Sequence, residues 1–158
     1  KDMKKSNHID NLGNVRMVNV SDKKVTKRKA IATGEITLSQ QAINSIKLNK
    51  NKKGDVLTIA QIAGIQAAKK TSILIPLSHQ LNIKGVNIRF EVKTKSITCI
   101  SEIVCDEKTG VEIEALCATQ IALLTIYDMC KYLDKSMIIS NVKLLLKQGG
   151  KSGEYKSE

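Results

Sequence analysis

Residues 108–131 read KTGVEIEALCATQIALLTIYDMCK, and no charged side chain occurs between Glu114 and Asp128. At about 1.5 Å per residue that uncharged run is too short to cross a bilayer core as a helix, so it predicts a soluble helix buried on more than one side. A helix covered on one side only would show a polar stripe. Here Ala115, Ala118, Ala122 and Met129 lie roughly opposite Ile113, Cys117, Ile121 and Leu124, and neither row is charged. One row is expected to pack on the chain's own sheet and the other to face protein as well, with a second subunit as the candidate.

The ends of this helix carry the ionisable groups. Glu112 and Glu114 fall in its first turn, where carboxylates gain from the helix dipole. Asp128 and Lys131, three residues apart, project from the same side of the last turn, where an ion pair or a shared proton-transfer site forms easily. In a straight helix the two ends stand roughly 24 Å apart. They cannot serve one small substrate within one chain, so either the ends do different jobs or a site is assembled across a subunit boundary. The uncharged flank favours the second. The plainer alternative is a pair of helix-start acids and a surface ion pair.

Working outward, residues 1–15 are polar and expected to be loose, and Met17–Ser21 opens the ordered part. Val25–Leu38 alternates well enough to predict a strand, with an irregularity at Gly34. Ser39 is suited to cap a short helix running to about Leu48. A basic loop, Asn49–Lys53, then leads through Gly54 and Asp55 into a second nearly uncharged helix, Val56–Ala68, closed by Lys69 and Lys70. Its Ala60, Ala63, Gly64, Ala67 and Ala68 permit close approach of another backbone, while Ile59, Ile62 and Ile65 supply a core side. The apolar run Ile73–Leu81 is punctuated by Pro76, the only proline, with His79 beside it.

Val86, Ile88, Phe90 and Val92 alternate, as do Ile97, Cys99, Ser101 and Ile103 after a turn at 93–96, so two strands are predicted there. The long helix is expected over 108–134, then a last strand over Met137–Leu146 and a Gly-rich tail. This order predicts an α+β sandwich of ferredoxin-like type, an antiparallel-containing sheet with helices packed on one face. Residues 16–148 form the expected single domain, flanked by a flexible 1–15 segment and a flexible Gly/Lys-rich tail, 149–158. The GKS of that tail is not a phosphate-binding P-loop, because position 145 is Leu and no helix follows.

The 158 residues suffice for one core without disulfides, and the net charge of +11 suggests an anionic partner. Nucleic acid is disfavoured, since aromatic residues make up 3% of the chain with no Trp, so a base-stacking platform is hard to build. A phosphorylated small molecule would explain the same lysines, and so would plain solubility. The four cysteines (Cys99, Cys105, Cys117, Cys130) are scattered without metal-ligand spacing, so reduced core thiols in a cytoplasmic protein are expected and metal binding is not. The charged start lacks the apolar stretch of a signal peptide.

Seven segments together carry a resemblance: MVNVS (17–21), KGDV (53–56), IAGIQAAK (62–69), IPLSHQL (75–81), KTGVEIEAL (108–116), ALLTIYDMCK (122–131) and GGKSG (149–153). In this order and over nearly everything after Val15, the chain resembles molybdenum cofactor biosynthesis protein C, the cyclic pyranopterin monophosphate synthase family. The resemblance implies a lyase that rearranges (8S)-3',8-cyclo-7,8-dihydroguanosine 5'-triphosphate to cyclic pyranopterin monophosphate and pyrophosphate. It implies a ferredoxin-like subunit in a homohexamer, a trimer of dimers with sites at a dimer interface, fed by a radical S-adenosylmethionine GTP cyclase. Nucleic acid and membrane are not expected partners.

By motif, the resemblance makes Asp128, Lys131 and Lys53 the catalytic candidates. Leu77, Ser78, His79, Glu112, Ile113 and Glu114 fall at its substrate contacts. Lys147 and Lys151, beside flexible backbone amides, are further candidates for the phosphates. No cofactor is required by the protein, although Mg²⁺ can accompany the triphosphate. The substrate's phosphates call for lysines and a histidine, and its guanine-derived ring offers N–H groups to Glu112 or Glu114. Lys131 and Lys53 are expected to act as acid/base or phosphate-clamping groups, with Asp128 setting the protonation of a neighbouring lysine. The family's usual PLCHPL is here PLSHQL, so Ser78 excludes a thiol nucleophile at that position; Asn19 and Gln148 are the other departures. Two other classes remain as alternatives: a non-catalytic scaffold of the same pathway, and a basic nucleic-acid-binding module.

Overall fold

The computed structural model describes residues 7–157. Its elements are β1 (Thr26–Thr37), α1 (Gln40–Lys47), α2 (Val56–Leu74), β2 (Ile83–Val92), β3 (Ser96–Glu107), α3 (Glu112–Cys130), β4 (Ile138–Gln148) and β5 (Tyr155–Lys156). The strands form one five-stranded sheet in the order β2-β3-β1-β4-β5, and every neighbouring pair is antiparallel. Along β1, Arg28, Ala30, Ala32, Gly34 and Ile36 are buried while Lys29, Ile31, Thr33 and Glu35 are half-buried, and β3 alternates in the same way. The period of two puts the first set against the helices.

The two long helices are held close by small residues. A Cβ at Gly64 would stand 3.0 Å from the Ala118 carbonyl oxygen and 3.3 Å from the Ala122 Cβ, so α2 and α3 touch backbone to backbone there. Where α3 crosses the sheet, a Cβ at Gly34 would meet Leu123, Thr119 and Val142 at 2.8 to 3.0 Å. The register of β1 against β4 shifts between Thr33 and Glu35, so the expected irregularity at Gly34 is present; the extra residue lies on β4, where Asn141 takes a positive φ of 55°.

The caps follow from local chemistry. Ser39 accepts the Ala42 N–H at 3.2 Å, a bond that stabilises α1 by about 1 kcal/mol. Asp55 accepts from Thr58 at the start of α2. That helix does not stop at Lys69 and Lys70, as expected from their charge, but runs to Leu74. The lysines are exposed and cost nothing on its outer flank; Pro76 ends the helix by driving Ile75 to φ −112° and ψ 109°.

Helix α3 is shorter than the expected 108–134. Glu112 and Glu114 start it without a side-chain cap, and the chain turns after Cys130, whose carbonyl accepts from Leu133 and Asp134. By length and composition it could cross a membrane, yet Ala118, Ala122, Leu123 and Ile126 are fully buried in the core. The last long strand reaches Gln148 rather than Leu146. Gly149, Gly150 and Gly153 then take positive φ and reverse the chain, so that β5 pairs with Leu146 and Lys147. Before the sheet, Asp10 accepts the N–H groups of Leu12 and Asn14, and Ile9 bridges Val15.

Candidate functional site

Because α2 and α3 pack antiparallel, each end of the pair gathers ionisable side chains from two segments. At the C-terminal end of α3, Asp128 lies between two ammonium groups. Its Oδ1 is 2.7 Å from Lys131 Nζ and its Oδ2 is 3.2 Å from Lys53 Nζ, which also donates to the Asp128 carbonyl at 3.1 Å. Hydrogen bonds from Lys131 and then Lys53 hold the Asp128 carboxyl below its ordinary range, and the bond to Asp128 raises Lys131. All three side chains are solvent-accessible, so protons can exchange freely at this cluster.

At the opposite end, the chain leaving α2 and the first turn of α3 enclose a cavity of about 670 Å³ lined by Leu77, Ser78, His79, Glu112, Ile113 and Glu114 among others. His79 Nε2 donates to the Val18 carbonyl at 2.7 Å, which leaves Nδ1 as the acceptor of the neutral ring. Glu114 is only 3% exposed. Burial pushes its carboxyl up to about 7, with the neighbouring Glu112 charge adding to the rise. Near neutral pH it can therefore both donate and accept a proton.

A second cavity of about 670 Å³ adjoins the first through Lys23, Thr109, Gly110 and Glu112, and it is strongly cationic. Lys24, Arg28, Lys108, Lys147 and Lys151 line it, with Asp22 and Glu112 as its acids. Lys147 is 3.4 Å from Glu112 and bonds Ser152 at 2.5 Å. Arg28 is 8% exposed; it donates to the carbonyls of Glu107 and Lys108 at 3.3 and 3.1 Å and makes no ion pair among the described residues. A Cβ on Gly150 would fall on its guanidinium, so the glycine turn is folded around Arg28. Such a set of fixed donors suits a polyphosphate.

The structure therefore brings Lys53, Asp128 and Lys131 together, and separately groups Leu77, Ser78, His79, Glu112, Ile113 and Glu114 with Lys147 and Lys151 close by. It does not bring the two groups together within one chain: sixteen residues of α3 separate Glu112 from Asp128, about 24 Å. Sequence reasoning missed Lys23, Lys24, Lys108 and Arg28. The signal for Arg28 was present, since it occupies an inward position of the alternation that includes Ala30, Ala32 and Ile36. All four cysteines are buried and free, and burial pushes Cys99, Cys105 and Cys130 up to about 11, which removes them as nucleophiles. Among the described residues no group of three His, Cys, Asp or Glu side chains is arranged to hold a metal ion.

A chain with a lysine–carboxylate cluster at one end of its helix pair and an acidic cavity opening into a cationic one at the other is equipped to bind an anionic small molecule and to exchange protons with it. The chain belongs to the MoaC family, whose family model matches residues 17–150. It is 50% identical to the cyclic pyranopterin monophosphate synthase of Clostridium botulinum (strain Alaska E43 / Type E3) over 98% of each chain. It is 47% identical to the protein of that name in Staphylococcus carnosus (strain TM300) over 99% of each. It is also 51% identical to the molybdenum cofactor biosynthesis bifunctional protein of Chlorobaculum tepidum, matching 92% of this chain and 46% of that one.

Proposed function

We infer that this chain is a cyclic pyranopterin monophosphate synthase. It converts (8S)-3',8-cyclo-7,8-dihydroguanosine 5'-triphosphate to cyclic pyranopterin monophosphate and pyrophosphate in molybdenum cofactor biosynthesis. The observation that carries this reading is the near-full-length likeness to synthases of that name at about half identity. The strand order β2-β3-β1-β4 with crossovers through α2 and α3 supports a ferredoxin-like subunit spanning residues 16–148.

The geometry supports the following roles. Glu112 and Glu114 accept N–H groups of the guanine-derived ring, and Glu114, poised near neutrality, exchanges a proton with it. The lysines and Arg28 of the cationic cavity neutralise the triphosphate and the departing pyrophosphate, with His79 in the adjoining acidic cavity. Mg²⁺ can accompany the triphosphate. Lys131 and Lys53 supply protons for ring opening and closure, and Asp128 aims both while its hydrogen bond raises Lys131.

Since one chain cannot bring Lys131 to its own Glu114, a site is completed by a second copy of the chain. Exposed apolar side chains on the helical layer, Ile62 and Ile73 on α2 and Leu124 on α3, support burial against such a copy. A homohexamer in the cytoplasm, supplied by a radical S-adenosylmethionine cyclase, is the assembly and context we assign. The test is anaerobic incubation of the protein with the cyclised dihydroguanosine triphosphate, following pyrophosphate and the fluorescent oxidised pterin, beside Lys131→Ala. Turnover by the parent and none by a folded, assembled variant is expected; an inactive parent with an intact oligomer overturns the assignment.

A further inference from the structure

Lys53 and Asp128 come from segments 75 residues apart, and both side chains are open to solvent, so their own attraction is too weak to fix the loop that carries Lys53. Something else has to hold that loop against the end of α3. Asn51 is the buried polar side chain in the stretch between α1 and α2, at 8% exposure. Its Nδ2 donates to the Met129 carbonyl at 3.1 Å and to Cys130 Sγ at 3.6 Å, while its Oδ1 accepts the Lys53 N–H at 2.9 Å.

Each bond has a reason. The Met129 carbonyl is in the last turn of α3, where backbone oxygens lack an intrahelical donor. A carboxamide presents a donor and an acceptor on one rigid plane, so it can bond a carbonyl of one segment and an N–H of another at once; a hydroxyl is too short for both and a carboxylate has no donor. Met129 follows Asp128 directly, so the tie joins the backbones of the two ion-pair partners almost at their Cα atoms. Tyr132 adds a neighbouring tie, its Oη accepting the Lys52 N–H at 3.2 Å.

We propose that Asn51 is a positioning residue of the lysine–carboxylate cluster: it sets the Lys53 backbone on the end of α3 so that the ammonium meets the Asp128 oxygen that Lys131 leaves free. This rests on the reading of Lys53, Asp128 and Lys131 as the proton-transfer groups. Asn51→Ala severs all three bonds. Asn51→Asp, nearly the same shape, keeps the acceptor for Lys53 and removes the donor to Met129, so it separates the tie to α3 from the folding of the loop itself.

With the cyclised dihydroguanosine triphosphate as substrate, both variants are expected to lose on the order of tenfold to a hundredfold in kcat, with KM changed by less than about twofold. The acid limb of the kcat profile should also move to higher pH, because Asp128 loses one of the two lysines that hold its carboxyl down. A residue that merely folded the loop would leave that limb in place. Parental kcat in either variant, or an unmoved acid limb in a slowed one, overturns the proposal. Lys53→Ala is the control: if it turns over like the parent, the reading of the cluster itself fails, whatever Asn51 does.

Discussion

Replacing Glu114 by Gln tests the electrostatics of the acidic cavity in a quantity that does not depend on substrate. The carboxyl is raised from its ordinary 4.5 to about 7, chiefly by burial. Below pH 4.5 the group is protonated whether the chain is folded or not, and it contributes nothing to the pH dependence. Between 4.5 and 7 the unfolded chain ionises first, so the folded state progressively loses stability. Above 7 both states are charged and the loss is complete. At about 1.4 kcal/mol per tenfold change in proton affinity, it amounts to roughly 3 kcal/mol.

Glu114→Gln keeps the shape and removes the charge. The variant should match the parent at pH 4.5 and exceed it at pH 8.5 by up to roughly 3 kcal/mol, on the order of 5–10 °C in thermal midpoint for a chain of this size. Thermal unfolding of both proteins at half-unit pH steps, at one protein concentration, measures it. If the two curves run parallel across this range, or the variant is the weaker at pH 8.5, then Glu114 is not a desolvated acid and its assigned proton exchange with the ring has no basis. Turnover of the variant should fall even where its stability rises.

Two further outcomes follow from particular contacts. Asp128→Asn removes the charge whose hydrogen bond raises Lys131, so turnover should drop at least tenfold and the alkaline limb of the pH–rate profile should move to lower pH; an unmoved alkaline limb would detach Lys131 from that limb. Gly64→Val forces a branched side chain against Ile88 and the Ala118 carbonyl and should cost about 1–3 kcal/mol in denaturant unfolding, whereas a parental midpoint would show that α2 and α3 can separate there.

Much of the fold was legible because it is locally encoded. Period-two alternation marked β1, β2 and β3, Ser39 marked the start of α1, and the small residues of α2 announced the close approach to Ala118 and Ala122. One error passed over a local signal, and others lay where a tertiary partner decides: Ile59 and Ile62, expected on the core side of α2, are exposed, because the small residues face α3. Lys69 and Lys70 read as a helix end, yet a solvated flank tolerates them and Pro76 sets the stop. The pairing of β5 depends on a glycine turn wrapped around Arg28, whose partners on Glu107 and Lys108 are about 80 residues away. Of the candidate site, the Asp128–Lys131 pair was readable from spacing. Lys53 came from the resemblance, and Asn51 from neither, since its burial exists only once the loop meets α3.

Helices α2 and α3 are 19 residues each and locked at Gly64. Together they act as a gauge block with a chemical group at each face: its length, not any side chain, fixes how far the lysine cluster stands from the acidic cavity. Adding one turn to both helices would widen that gap by about 5.4 Å while leaving each cluster's own contacts alone. Adding it to one helix alone, between the Gly64 contact and an end, would put the two segments of that end's cluster out of register. The separation between the clusters can therefore change only through paired insertions, which makes helix length a coordinate along which a synthase of this build could be retuned without altering a single acid or base.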